Sequence, residues 1–190
     1  SHERCLYRGY LQIAALDMLN SRNVLRTLLW DPLEPTATRP LALVQGASLY
    51  CYGVDFNKNV TEVFDAQGTI AAAYDYSPYG AVTGTGSLVQ PVQWSGEMHD
   101  EEPALVYYNY RYYNPKDGRW INRDPIAEEG GWNLYAFLGN STQDKFDALG
   151  LIGIFGLLGG ALIDYGFQVT ANYIQGKEDP WTDIDWGSVT

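Results

Sequence analysis

The sequence predicts a mainly β fold of antiparallel hairpins, followed by a helical C-terminal segment. Two observations support this prediction. Short apolar segments alternate with turns containing Gly, Asn or Asp, at the spacing of roughly 8–12 residues that is typical of all-β proteins. The 190 residues also include 15 Tyr and 6 Trp, side chains that favour pleated, half-buried surfaces.

The first strands are predicted in residues 1–83. Residues 5–13 predict a hairpin with its turn at Arg8-Gly9, and residues 32–40 predict a loop because they contain three prolines. Further strands are predicted at 24–30, 48–52, 60–64 and 69–76, with turns at 55–59, 65–68 and 77–80.

Three aspartates in this region recur at a regular interval. Asp55, Asp65 and Asp75 lie ten residues apart, each at or near a predicted strand end. This period favours a repeat protein of stacked hairpins. An ordinary β-sandwich in which the spacing is a coincidence remains the alternative.

Residues 84–151 are predicted to form a second region. Residues 84–91 predict a flexible loop, and the next block begins at Trp94. The run 107–113 carries aromatic side chains on both faces, which predicts one strand that is buried on both sides or lies at a sheet junction. A turn at 114–118 and a short strand at 119–121 follow.

The third region, residues 152–190, has a different composition. The apolar, Gly-rich run from Leu151 to Ile163 predicts a helix that continues to about Tyr173. Because the run is shorter than the roughly 20 residues that span a bilayer, we expect a packing helix. Membrane contact by residues 151–174 is the weaker alternative.

Composition narrows the class of partner. The net charge is −11 and no basic stripe is present, so a nucleic-acid partner is not expected. The acidity favours solubility. The chain opens at Ser1 without an initiator Met or a signal peptide, and we therefore expect a piece of a longer protein.

Metal and cofactor sites are not predicted. Cys5 and Cys51 form no CxxC motif, and His2 and His99 are isolated. Common enzyme motifs such as GxSxG, the P-loop and HExxH are absent from the sequence. A group of acids without EF-hand spacing is expected in a solvated loop: Glu97, Asp100, Glu101 and Glu102.

Residues 74–151 carry a long ordered series of motifs. They read YDYSPYG at 74–80, WSGE at 94–97, LVYYNYRYYNP at 105–115, GRW at 118–120, RDPI at 123–126, GGWNLYAF at 130–137 and DALGL at 147–151. Through these motifs the stretch resembles the RHS repeat-associated core of bacterial rearrangement-hotspot (RHS) polymorphic toxins. Related modules occur in the C component of Tc toxins and in teneurins. Residues 3–73 resemble the upstream RHS/YD repeats less strictly.

This resemblance implies a function. The repeats would form part of a β-shell around a toxic C-terminal effector, and the core would close the shell as a plug. The chain would cut itself once after Leu151, at the Leu151–Ile152 bond, by means of aspartates in the core. The effector would stay inside as cargo of a secreted or cell-surface bacterial protein, with an immunity protein as a further candidate partner.

Asp124, Asp147 and Arg123 are the candidate catalytic residues. Two neighbouring carboxyl groups can hydrolyse a peptide bond when one activates water and the other donates a proton, and such a pair shares one proton. Asp144 is the alternative second acid. We expect Arg123 to hold one carboxylate ionised or to polarise the scissile carbonyl.

Structural roles compete with these assignments. Asp124 fits a turn, Asp147 fits a cap, and Arg123 can pair with Glu128 or Glu129. Two departures from the family pattern favour a structural or cell-surface RHS module that does not cut itself. Ala148 stands where the family has Pro, and residues 140–142 read Asn-Ser-Thr where it has Asn-x-Pro.

Overall fold

Antiparallel strands make up most of the part of the chain that the structure describes, which confirms the prediction of a mainly β fold. The structure is a computed structural model that describes residues 2–33, 38–125, 132–140, 142, 145–147, 150 and 154–155.

The first eight strands form one sheet. They are β1 (Glu3–Arg8), β2 (Leu11–Asp17), β3 (Asn23–Trp30), β4 (Pro40–Gln45), β5 (Ser48–Val54), β6 (Val60–Asp65), β7 (Ile70–Tyr76) and β8 (Val82–Gly86). The strand order in the sheet is the order in the sequence, and each strand pairs antiparallel with the next. This meander is the stacked-hairpin arrangement, and the predicted first hairpin is its first pair.

Two of the recurring aspartates build turns of the same design. Asp55 accepts hydrogen bonds at Oδ1 from the backbone N–H groups two and four residues later, both at 2.9 Å. Asp65 repeats this pattern at 2.9 and 2.8 Å. Asp75 lies inside β7, and Ser77 instead receives the N–H of Ala81 on its Oγ at 3.0 Å. The third turn is therefore shifted by two residues from the ten-residue period.

A smaller sheet follows the meander. It consists of β9 (Met98–Asp100), β10 (Leu105–Tyr108), β11 (Arg111–Asn114) and β12 (Arg119–Trp120), in the order β12-β11-β10-β9. A 3-10 turn at Trp94–Gly96 connects the two sheets. Each sheet contributes to its own apolar cluster. One contains Leu28, Leu43, Val60, Val63, Ala72 and Val92, and the other contains Trp94, Val106, Tyr108, Tyr113, Trp120, Phe137 and Leu138.

The expected single strand 107–113 is instead a hairpin. Strands β10 and β11 turn at Asn109-Tyr110, so that Tyr107 lies opposite Tyr112. The rings of Tyr108 and Tyr113 meet edge to face at 6.2 Å inside the core. The aromatic residues on both faces of the run therefore pair across two strands, which a single strand would not allow.

The meander also extends past the predicted boundary at residue 83. Strand β8 ends at Gly86, within the expected loop 84–91. Its pairing with β7 places Ala72 opposite Gly86, so the last hairpin of the meander includes the first residues of that loop.

Part of the predicted C-terminal helix is a strand. Strand β14 (Ile154–Phe155) pairs antiparallel with β13 (Lys145–Phe146). Ile and Phe favour pleated surfaces, and β13 supplies the hydrogen-bonding edge. The remainder of the predicted helix, to residue 173, lies outside the described residues. Within the described ranges, no helix has the length and apolarity needed to cross a bilayer.

Candidate functional site

Arg111 is the centre of a buried polar site. It is the first residue of β11 and is 3% exposed. Its Nη1 donates to Oδ2 of Asp124 at 2.6 Å, and its Nη2 donates to Oδ2 of Asp147 at 3.4 Å. Its Nε donates to the carbonyl oxygen of Gly150. One guanidinium therefore connects both predicted aspartates to the backbone next to Leu151.

The aromatic core holds this guanidinium in place. Its carbon lies 4.0 Å from the ring centroid of Trp120, a cation–π contact that fixes the plane of the donor fork. Trp120 is buried, with Tyr108 and Phe137 packed at its edges. Arg111 is thus fixed by packing as well as by its ion pairs.

Asp124 is positioned by a return of the chain. The N–H of Asp124 donates to the carbonyl of Leu134 at 3.0 Å, and the N–H of Trp120 donates to the carbonyl of Tyr135 at 3.0 Å. The chain after Trp132 therefore runs beside β12 and the residues that follow it. This return fixes the backbone at Asp124.

A hydrogen bond joins Asp147 and Gly150, both of which contact Arg111. Oδ1 of Asp147 accepts the N–H of Gly150 at 2.7 Å. Gly150 has φ +76°, and a Cβ there would lie 2.9 Å from Cβ of Tyr108. Only glycine accommodates both conditions. The amide and the carbonyl of the residue before Leu151 are therefore both held by site residues.

A guanidinium lies between the two carboxyl groups of the site. Burial lowers the pKa of the Arg111 guanidinium, while Asp147 and Asp124 oppose this shift. An arginine stays protonated in such surroundings. The two aspartates therefore meet through a cation.

A third acid lies next to this site. Glu97 is 3% exposed, and its Oε1 lies 3.0 Å from Oγ1 of Thr38. Burial raises the pKa of Glu97 well above its usual range, and the negative charge of Asp147 raises it further. Glu97 is therefore not part of the solvated loop in which it was expected, whereas Asp100 and Glu101 are exposed.

The structure brings together some of the predicted residues. Asp124 and Asp147 both contact Arg111, while Arg123 is exposed, so the guanidinium at the site comes from the hairpin and not from the neighbour of Asp124. The remaining predicted residues lie outside the described ranges: Glu128, Glu129, Asp144, Ala148, Leu151 and Ile152.

Arg111 and Glu97 were not among the residues predicted from the sequence. A signal for Arg111 exists, because it is the charged residue within a run of tyrosines on a buried strand. Such a charge needs an ionised partner.

Thr142 occupies one of the positions where the chain departs from the family pattern. Its Oγ1 donates to the carbonyl of Pro78 at 2.6 Å. This bond ties the segment before Asp147 to the last turn of the meander, where the family uses a proline to restrict the chain.

Known proteins resemble this chain in sequence. No family model matches it. Toxin protein Tse5 of Pseudomonas aeruginosa is 44% identical over 63 residues, which are 33% of this chain and 5% of Tse5. The double-stranded DNA deaminase toxin A of Burkholderia cenocepacia is 36% identical over 102 residues, which are 50% of this chain and 7% of that toxin. RhsB of Dickeya dadantii is 37% identical over 60 residues, 32% of this chain and 4% of RhsB.

The chain spans less than half the length of the curated relatives it matches. Among solved structures, the crystal structure of TcdB2-TccC3-Cdc42 has a TM-score of 0.63 at 22% identity, covering 78% of this chain and 8% of that chain. At this identity the likeness concerns the fold alone. The ordered motifs, the meander of hairpins and these relatives identify the chain as an RHS-repeat domain related to those of bacterial toxins.

Proposed function

We propose that this chain is the end of an RHS toxin shell that encloses a C-terminal effector and cuts its own chain once, between Leu151 and Ile152. The observation that carries the proposal is the contact of Arg111 with Asp124, Asp147 and the carbonyl of Gly150. These contacts join two buried acids to Gly150, the residue before Leu151.

The geometry supports a hydrolytic step at this point. Hydrolysis needs a base for water, a donor that polarises the carbonyl and a proton for the leaving amine. In the proposed reaction, Asp124 takes a proton from a water molecule, and the water oxygen bonds to the carbonyl carbon of Leu151. The C–N bond to Ile152 then breaks, and protonated Asp124 gives this proton to the leaving amine.

Positioning is the contribution that the site offers most directly. Asp147 holds the N–H of Gly150, and Arg111 holds its carbonyl oxygen, so the chain enters the proposed cleavage position with little freedom. Preorganisation of this kind removes an entropic cost from the barrier. Because the reaction acts on its own chain, it happens once per molecule.

The proposed partners follow from the relatives. Tse5 and deaminase toxin A are toxins by name, and the chain matches a small part of each. We propose that the segment from residue 152 onward begins an effector that stays in the shell until delivery. An immunity protein and a secreted or surface-bound location belong to the same proposal.

Membrane contact by residues 151–174 is a weaker prediction, which liposome binding by that segment would test.

Mass spectrometry of the intact, freshly expressed chain tests the cut. In the parent we expect two fragments, one that ends at Leu151 and one that begins at Ile152. In Asp124→Asn and in Asp147→Asn we expect one uncut chain. Asp75→Asn is the matched control, because Asp75 is an exposed aspartate in β7 and should not affect the cut. Cleavage that persists in both site variants would refute an aspartate mechanism.

A second candidate function is a structural or cell-surface RHS module that does not cut itself. Ala148, which replaces the proline of the family pattern, favours it, because proline fixes its own φ and restricts the residue before it. If the parent stays uncut and Ala148→Pro is cut, the site is chemically competent but is not aligned in the parent. Uncut chains in both would support the structural role.

A further inference from the structure

Glu97 connects the self-cleavage site to the meander. Oγ1 of Thr38, which precedes β4, lies 2.9 Å from the carbonyl oxygen of Ser95 and 3.0 Å from Oε1 of Glu97. The N–H of Ser95 donates to Oδ1 of Asn59, before β6, at 2.8 Å. All four residues are buried.

The hydrogen count in this cluster assigns a proton to Glu97. A threonine hydroxyl has one hydrogen, and a carbonyl oxygen can only accept. The hydrogen of Thr38 satisfies the carbonyl of Ser95, so the 3.0 Å contact with Glu97 is favourable when Glu97 donates to the lone pair of Thr38. An ionised Glu97 would instead leave either this contact or the buried Ser95 carbonyl without a hydrogen, which is costly in the interior.

The surroundings agree with a protonated acid. Burial raises the pKa of Glu97 most strongly, Thr38 lowers it, Asp147 raises it and Lys58 lowers it. The charge of Glu97 would likewise raise the pKa of the buried Tyr108 hydroxyl, which is raised mainly by burial. The titratable and charged groups around Glu97 thus include Asp147, Lys58, Tyr107 and Tyr108, with Arg111 and Asp124 beyond Asp147.

We propose that Glu97, in its protonated form, is a positioning residue of the self-cleavage site. This inference rests on the proposed function. Protonated Glu97 holds Thr38 of the meander and presents an uncharged surface to Asp147. Ionised Glu97 would add a third negative charge around the single guanidinium of Arg111. The repulsion would act on Asp147 and weaken its hold on the N–H of Gly150.

This role predicts a particular response to substitution. Glu97→Gln keeps an N–H donor for Thr38 and cannot ionise, so we expect cleavage within about threefold of the parent rate. Glu97→Leu removes the donor and leaves buried acceptors unpaired, so we expect cleavage to slow by about tenfold or more. The parent should also lose cleavage as Glu97 ionises at high pH, and Glu97→Gln should lack this alkaline decline.

The cleavage rates of the three chains against pH, followed by intact mass, decide the role. Equal loss in Glu97→Gln and Glu97→Leu would overturn it, because the carboxyl itself would then be required. Unchanged cleavage in Glu97→Leu would overturn it as well. Circular dichroism of each variant confirms that it has folded, and the rescue by Gln separates positioning from a loss of structure.

A second measurement tests the protonation of Glu97 even if the parent does not cut, in which case only the proposed function would fail. It compares the free energy of unfolding against pH for Asp124→Asn and for Asp124→Asn with Glu97→Gln, both uncut. The folded chain holds the Glu97 proton more tightly than the unfolded chain. This contribution to stability is complete below a pH of about 4 and is lost as the pH rises through the folded-state pKa. We expect Glu97→Gln to remove this decline. Identical curves for the two chains would overturn the assignment.

Discussion

Arg111 shows how one side chain organises the site at the scale of the residue. Its planar fork contacts two carboxylates and a backbone carbonyl while its face packs on Trp120. Lysine has the same charge but places its three donors on one compact ammonium, without the planar fork. The geometry of the guanidinium, more than its charge, therefore determines the arrangement.

Arg111→Lys should accordingly abolish the cut. We expect the free energy of unfolding to fall by about 1–3 kcal/mol, because buried acceptors on Asp147 and Gly150 lose their donors. Urea denaturation and intact mass measure the two effects. Arg119→Lys is the control, since Arg119 is exposed and lies 5.2 Å above the ring of Tyr135. A parental rate of cleavage in Arg111→Lys would contradict the role of the fork.

Gly150→Ala should combine a strained backbone with a collision. Gly150 has φ +76°, and the new Cβ would meet Cβ of Tyr108 at 2.9 Å. We expect a loss of about 1–3 kcal/mol in stability and no cleavage. Gly68→Ala is matched for conformation, because Gly68 has φ +80° and nothing within 4 Å of the new Cβ. Equal effects of the two changes would show that the contact with Tyr108 has no role.

Asp124 and Asp147 were predicted from sequence because family motifs mark them. Arg111 could not be paired with them in the same way. The sequence neighbour Arg123 was the natural candidate, yet its side chain is exposed beyond the end of β12. The partner of Asp124 is instead Arg111 of β11. A turn separates β11 from β12, and the length of this turn determines which residue of β11 lies opposite Asp124.

At the scale of the element, two turns of the meander repeat one hydrogen-bond pattern. Asp65→Ala removes the acceptor for the N–H groups of Gln67 and Thr69. We expect a loss of about 1 kcal/mol in the free energy of unfolding, measured with urea. Asp75→Ala should change it by less than about 0.5 kcal/mol, because Asp75 is exposed within β7. A larger loss of stability in Asp75→Ala than in Asp65→Ala would contradict the role of Asp65 as the hydrogen-bond acceptor of its turn.

Elements with strong turn residues were predicted well, and the others were not. The turns at Asp55 and Asp65 contain Asn or Gly, and both were located from the sequence. The turn at Asn109-Tyr110 lies within an unbroken aromatic run, without Gly or Pro, so two short strands were predicted as one. Strand β14 was hidden for a related reason, since a short apolar run has no clear period.

At the scale of the whole molecule, the two sheets are bonded through their buried polar groups. The hydroxyl of Tyr113 in β11 donates to the carbonyl of Tyr79, in the last turn of the meander, at 2.7 Å. Asn59 and Thr38 of the meander hold the 3-10 turn at Trp94–Gly96. The proposed self-cleavage site therefore depends on the meander for its support.

Asn59→Ala tests this dependence away from the site. It removes the buried acceptor for the N–H of Ser95, and we expect a loss of about 1–3 kcal/mol in stability together with slower cleavage. Asn57→Ala, two residues earlier in the same turn, should leave both properties close to those of the parent. Unchanged cleavage in a destabilised Asn59→Ala would show that the site assembles without this link.

Such long-range contacts mark the limit of prediction from sequence at this scale. The β class and the stacked hairpins follow from turn spacing, which is local. The approach of Thr38 to Glu97 depends on how two sheets pack, and no motif in either segment encodes it. Glu97 was therefore expected in a solvated loop.

The most direct test of self-cleavage is the intact mass of the purified chain, with the first residue of any second fragment determined. We predict two fragments, the second beginning at Ile152, and a single uncut chain for Asp124→Asn. If the parent and Ala148→Pro both remain whole, this result contradicts self-cleavage at this site.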